Sequence, residues 1–235
     1  MQTVLIADPP WDWKTYSAKG TKKSPQYTVA STKDICELSP TVRALAGKHS
    51  YMMLWATRPK LQDALAVLAS WGYAYKTCLV WKKPNVGTGY HARDNAELVL
   101  IGTRGQPGVG IGKRSLAAFE APRSERRHSS KPCELHSRAE LQFPSFVKLE
   151  LFARQRRHGW HCIGSDLGSI LTPVGIVGSD AALLGHIDAQ LAASQNRPRR
   201  ARKNAPSPNP NHEGRGASGT DRGGPRDERS ARGGA

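Results

Sequence analysis

The residues best placed to do chemistry stand in the first line of the chain. Val4, Leu5 and Ile6 form a short apolar run suited to a buried parallel strand, and Asp8, Pro9, Pro10 and Trp11 follow almost at once. In open α/β sheets ligands bind where such strands end. Two successive prolines restrict φ and remove two backbone donors, so the carbonyls around them are not absorbed into a helix. The result is a stiff rim made of a carboxylate, free carbonyl acceptors and an indole face. That rim suits a flat heterocycle bearing an exocyclic amine: Asp8 and a carbonyl accept its hydrogens while the ring stacks on Trp11. The alternative for Asp8 is a turn cap after the strand.

A second carboxylate, Glu150, interrupts the apolar run Val147–Phe152 and must find donors if it is buried. At the end of a strand it is suited to accept both hydroxyls of a ribose; the alternative is an edge-strand glutamate facing solvent. Lys131 and Arg154 are the cations to pair with it or with a ligand carboxylate. Cys133, His136, His161 and Cys162 are soft ligands on paper, but the adjacent second pair would point to opposite faces of a strand, which spoils a tetrahedral metal site. Zinc deaminase chemistry needs a second cysteine after Pro132-Cys133 that is absent. The glycine run Gly108–Lys113 lacks the spacing and hydroxyl of a nucleotide-phosphate loop, and no GxSxG elbow supports covalent hydrolysis.

Apolar segments at Tyr51–Trp55, Tyr73–Trp81, Glu97–Ile101 and Val147–Phe152 read as further strands. Helices are expected from Thr32, after a cap at Thr57 with Leu61, Leu65 and Leu68 inward, from Pro132 to about Gln142, and after Ser179 with Ala182, Leu183 and Ile187 on one face. This βα alternation argues for a mostly parallel sheet covered by helices, an α/β fold. The segment Thr103–Ser130 lacks either period and is long for a structural connection, which marks a binding or disordered loop. Its Arg104, Lys113, Arg114, Arg123, Arg126 and Arg127 outnumber Glu120 and Glu125; on the ligand side of the sheet they would be drawn to phosphates. Lys14, Lys19, Lys22, Lys23, Tyr16 and Tyr27 lie directly behind the proline rim, where a lid or phosphate-contacting loop would be.

The composition changes near residue 195. Residues 1–194 hold enough large apolar side chains for one domain; 195–235 is rich in Arg, Gly, Pro and Ser and cannot offset its own ordering entropy, so it reads as a disordered basic tail. The net charge is +16, of which +6 falls after Gln195 and +10 before it. Both parts are basic, which points to a polyanionic partner, nucleic acid, over a mere solubility effect. The opening residues lack a signal-peptide pattern, no apolar span of membrane length exists, and four scattered cysteines suit a reducing compartment; a cytoplasmic location is expected.

In this order along the chain, Asp8-Pro9-Pro10-Trp11, Ser130-Lys131-Pro132 with Glu134, Lys148–Arg154 (KLELFAR), and Gly159-Trp160 through Gly164 resemble the motif set of the MT-A70 family of N6-adenine methyltransferases. The likeness runs over roughly residues 1–169, apart from the loop 103–127. It implies a Rossmann-like sheet and transfer of a methyl group from S-adenosylmethionine (SAM) to the N6 amine of adenine. The motif order is similar to that of the circularly permuted beta class of amino-methyltransferases. Carried onto this chain, the resemblance makes Asp8, Pro9, Pro10 and Trp11 the catalytic segment, with Asp8 and the Pro9 carbonyl on the amine. It makes Asp8, Lys131, Glu150, Arg154 and Ser165 the cofactor residues, Glu150 on the ribose, and implies no metal. Ser165-Asp166 departs from the asparagine the family carries there and offers a shorter clamp. No separate target-recognition domain is visible, so the basic loops would read the substrate. DNA is the expected substrate, with the target base flipped; the alternatives are adenosine in RNA, or a silent nucleic-acid-binding subunit of the same fold.

Overall fold

A computed structural model describes residues 2–12, 29–87, 91–108, 116–122, 129–183, 185–187 and 189. The lysines and tyrosines of 13–28, the bases of 109–115 and 123–128, and the tail 195–235 lie outside these residues. The centre of the molecule is β1 (Thr3–Ala7), all five residues of which are buried. Parallel neighbours flank it, β2 (Ser50–Ala56) on one side and β6 (Val147–Leu151) on the other. Completing a seven-stranded sheet in the order β5-β3-β4-β2-β1-β6-β7 are β3 (Ala74–Lys82), β4 (Ala96–Arg104), β5 (Ala118–Glu120) and β7 (His161–Ile163). Of these seven, β4 alone runs against the rest, antiparallel to both β2 and β3. That reversal matters for the site. It brings the beginning of β4 to the edge where β1, β2 and β3 end.

Alternation along the strands divides the core into two layers. Leu5, Met52, Leu54, Leu149 and Leu151 pack under α1 (Thr32–Glu37), α2 (Ser39–Ala46) and α3 (Leu61–Ser70), with Ile35, Leu45, Leu68 and Trp71 filling between them. Val4, Ile6, Met53, Trp55, Trp81 and Val99 pack on the other face against Leu135 and Ala139 of α4 (Glu134–Gln142) and Phe143, which caps it. The α/β sheet expected from the sequence is therefore present, mostly parallel and with helices on both faces. None of the described helices is long and apolar enough to cross a membrane.

Local differences from the sequence reading have physical causes. The cap of α1 is Ser31, one residue before Thr32, because Asp34 closes a reciprocal capping box with it. Thr57 makes no side-chain cap; Pro59 starts a 3-10 turn, Arg58–Lys60, that delays α3 to Leu61, and the inward residues are Ala64, Val67 and Leu68. The segment Thr103–Ser130 contains the end of β4 and all of β5, a strand too short to show a period, held by buried Phe119. Its first part, 105–108, leaves from the edge opposite the strand ends, where Gln106 N–H donates to His49 Nδ1 and Gly108 N–H to Gln2. After β7 the chain makes a hairpin of β8 (Ser169–Thr172) and β9 (Gly175–Gly178), whose Leu171 and Ile176 close the α1–α3 layer. Ser179 Oγ bonds to Asp180 and to the Leu167 carbonyl; in the helical turns that follow, Leu183 and fully buried Ile187 pack inward, whereas Ala182, expected on the same face, is exposed.

The glycine at 164 is dictated by close approach. Ala153 N–H donates to the Ile163 carbonyl at 2.9 Å, and a Cβ at Gly164 would fall on the Ala153 backbone. Gly164→Ala is expected to lower stability by about 1–3 kcal/mol or more, read as a fall in the urea midpoint at unchanged m-value.

Candidate active site

The five strands β4, β2, β1, β6 and β7 present their site-side ends in that order, and most of the sequence-derived candidates lie along this edge. Asp8–Trp11 follow β1, Phe152–Arg154 follow β6, and Ser165 opens a 3-10 turn just after β7. Asp8 and Glu150 are on neighbouring strands, with Ile6 opposite Glu150 in the ladder.

Asp8 is held by a buried ion pair. Its Oδ2 accepts from Lys131 Nζ at 2.9 Å, and Lys131 also lies 3.4 Å from Glu97 Oε2. Glu97, eleven-hundredths exposed at the start of β4, binds Lys83 Nζ at 2.9 Å through its other oxygen. Beneath the row, Lys131 sits 5.5 Å from the Trp55 ring and Lys83 5.9 Å from Trp81, the two indoles meeting edge to face. Burial raises the Asp8 carboxyl above its usual value, more than the neighbouring Lys131 lowers it. Burial also works against the charges of Glu97 and Lys131, but there the opposite charges win. Lys131 and Lys83 hold the Glu97 carboxyl below its ordinary range, and Asp8 and Glu97 hold the Lys131 ammonium above its own.

The proline rim differs from the open surface expected of it. The Pro9 carbonyl already accepts from Trp11 N–H at 2.8 Å and the Pro10 carbonyl from Ala30 N–H at 2.9 Å. Each oxygen keeps one lone pair. Trp11 is 8% exposed, packs in the α1–α3 layer and donates its indole N–H to the Trp55 carbonyl at 3.0 Å. It anchors the turn and offers no open face for stacking.

Lys131 is taken up by Asp8, Glu97 and the Ser129 carbonyl at 3.4 Å, so its three donors are directed at the protein before any cofactor carboxylate arrives. Arg154 lies close enough to act electrostatically on Asp8. Glu150 is no edge glutamate: β6 is interior to the sheet, and Oε2 lies 2.9 Å from His136 Nε2 and 3.9 Å from the Cys162 thiol. Burial pushes that thiol up to about 11. His136 is buried against Trp160, whose indole N–H donates to Glu140 at 2.7 Å. Cys133 is exposed at the start of α4. The donor set along the edge, two carboxylates with a guanidinium and a hydroxyl, fits a ligand that joins an amino acid to a ribose.

Glu97 and Lys83 have no role in the sequence reading, and His136 enters it only as a discarded metal ligand. Lys83 stands just past the apolar segment Tyr73–Trp81, and Glu97 opens its own apolar run without interrupting it. Only the reversed direction of β4 brings Glu97 to Lys131. Lys131→Met, which strips two carboxylates of their shared cation, is expected to cost about 2–4 kcal/mol in chemical denaturation, less than a fully enclosed pair because Asp8 keeps 28% exposure. Asp8→Asn should cost less, since burial already disfavours that charge.

The family model for MT-A70 matches residues 2–166. Among curated proteins, the type II methyltransferase M.MunI of a Mycoplasma species is 28% identical over 183 residues, covering 70% of this chain and 77% of that protein. A putative N(6)-adenosine-methyltransferase MT-A70-like of Medicago truncatula is 27% identical over 177 residues, 71% of this chain but 26% of its own length. The N(6)-adenosine-methyltransferase catalytic subunit METTL3 of Homo sapiens is 27% identical over 178 residues, again 71% of this chain and 28% of its own length. The chain thus spans about a quarter of the length of the adenosine methyltransferases it matches. With the ordered motifs gathered on one sheet edge and the family model covering most of the folded residues, this chain belongs to the MT-A70 family of methyltransferases.

Proposed function

We propose that this protein methylates the N6 amine of adenine in DNA with SAM as donor. The observation that carries the reading is the Asp8–Lys131–Glu97 row beside the Pro9 carbonyl, at the end of the central strand. It supplies a hydrogen-bond acceptor of tuned basicity next to a free carbonyl lone pair. The net charge of +16 supports a nucleic-acid substrate, and the similarity over 77% of a type II methyltransferase favours DNA.

SAM supplies a methyl group on a positive sulfonium, so no metal is needed to make a leaving group. Asp8 and the second lone pair of Pro9 accept the two amine hydrogens. They turn the nitrogen away from conjugation with the ring and direct its electron pair. As the N–C bond forms and the S–CH3 bond breaks to leave a neutral thioether, the amine proton would pass to Asp8, whose carboxyl burial raises towards a useful basicity. Lys131 keeps Asp8 ionised and aligned. Arg154 would hold the cofactor carboxylate, Glu150 the ribose hydroxyls and Ser165 a remaining polar edge, with His136 Nε2 2.9 Å from Glu150 to steady it. In a duplex the target base would have to be flipped from the stack. The tail 195–235 adds sequence-independent phosphate attraction to the domain 1–194. An RNA substrate is the second reading, favoured by the matches to adenosine methyltransferases.

Purified protein incubated with tritiated SAM and mixed-sequence duplex DNA or RNA, then digested to nucleosides, should yield N6-methyladenine from DNA. Label in RNA alone would move the substrate, and SAM binding without label in either would mark a silent subunit. Asp8→Ala should lower turnover about 10²–10⁴-fold with nucleic-acid affinity largely kept. The acid limb of kcat/KM should lie above the ordinary aspartate range, activity falling as pH drops through the raised Asp8 value; Lys131→Met should move that limb further up. Deleting 196–235 should weaken DNA binding and flatten its salt dependence.

A further inference from the structure

The ion pairs do not stop at Lys83. Lys83 Nζ also binds Asp94 at 2.8 Å, and Asp94 Oδ1 accepts from Arg58 Nη2 at 3.1 Å and Nε at 3.3 Å. Arg58 donates besides to the Arg93 carbonyl at 3.1 Å. One proline further along the same 3-10 turn, Lys60 binds Asp12 at 2.5 Å and Asp63 at 3.0 Å. Asp12 follows Trp11 directly. The row of charges that begins at Asp8, just before Pro9-Pro10-Trp11, therefore returns to the chain just after it. The chemistry proposed above uses the first half of this circuit and leaves Asp94, Arg58, Lys60 and Asp12 without a part.

We propose that the Arg58-Pro59-Lys60 turn is a positioning element for the target nucleotide, Lys60 fixing the far end of the Pro9–Trp11 turn through Asp12 and Arg58 fixing the segment 91–95 through Asp94. The proposal rests on the methyltransferase reading of the site. The turn is stiff: Pro59 sets φ, and Lys60 N–H closes on the Thr57 carbonyl at 2.9 Å. Two cations two residues apart thus hold two stretches of chain that bound the substrate side of Asp8. A direct phosphate contact is the obvious competing use of these cations, and the charge count opposes it. Lys60 is enclosed by two carboxylates with its side chain 19% exposed, and an approaching phosphate would meet net negative charge. Burial works against the Lys60 ammonium, yet Asp12 and Asp63 keep it above its usual value, so the latch stays charged at neutral pH.

The competing use makes the test sharp, because removing Asp12 frees Lys60. In the full-length protein, Lys60→Met and Asp12→Asn should each raise KM for a mixed-sequence duplex about 5–10-fold while the calorimetric Kd for SAM stays within about twofold. Hydrogen exchange at the Ala30 amide, which bonds the Pro10 carbonyl, should quicken about tenfold in both, and the double variant should be no worse than either single. Lys60→Arg should keep near wild-type values. A lower KM in Asp12→Asn would overturn the proposal in favour of a phosphate-contacting lysine. Unchanged exchange, or a parallel loss of SAM affinity, would overturn it too. Were the wild type to methylate neither DNA nor RNA, the methyltransferase reading would fall by itself. Oligonucleotide anisotropy and exchange on the same variants would then decide whether the latch holds the turn.

Discussion

Everything at the working edge depends on one lysine taken out of water between two carboxylates. Lys131 lies over Trp55 with Asp8 on one side and Glu97 on the other, and its side chain is 14% exposed. A cation in such a place is tolerated because opposite charges and an aromatic face replace its hydration. The two carboxylates need the lysine for the same reason. They respond differently to it: Glu97, shared between two lysines, is held ionised, whereas Asp8 is left closer to accepting a proton. The asymmetry separates a carboxylate that holds the site in shape from one poised to exchange a proton.

The backbone makes this arrangement possible by one reversal. Had β4 run with its neighbours, Glu97 would lie at the opposite end of the sheet, and the two lysines would face each other over the indoles without an acid between them. The two packed layers on either side of β1 give the edge its rigidity. Leu5 and Ala7 are fixed from the α1–α3 side, Val4 and Ile6 from the α4 side, so the turn that follows inherits a direction it cannot easily change. Trp11, with its N–H on the Trp55 carbonyl, ties that turn to β2 as well.

Much of this was legible in the residues alone, and what was not has a common origin. The apolar run before Asp8, the acid within the Val147–Phe152 run and the prolines all carry local signals: a period, a break in a period, a restricted φ. The strands β1, β2, β3 and β6 and the helix α4 emerged within a residue or two, and β4 runs three residues past the expected Ile101. Glu97 carried no local signal, because what distinguishes it is a partner some thirty residues away, Lys131, which it meets only because its own strand runs in the opposite sense. The Trp11 indole was read as a free face since the sequence shows an aromatic beside prolines but not the helix layer that covers it. The strand β5 and the β8–β9 hairpin were missed because three or four residues are too few to display alternation.

The long basic connection between β4 and α4 has two unequal halves. Its first described residues, Gly105–Gly108, are tied to His49 and Gln2 at the edge remote from Asp8, and the chain rejoins the sheet only as β5 beside the last residues of β3. Its last described residues, Ser129 and Ser130, run straight into Lys131. The first half is thus held from the far side of the sheet, whereas Ser129 lends its carbonyl to the very ammonium it leads to. A shift of the backbone at Ser129 or Ser130 is therefore felt at once by the charge that Asp8 and Glu97 share.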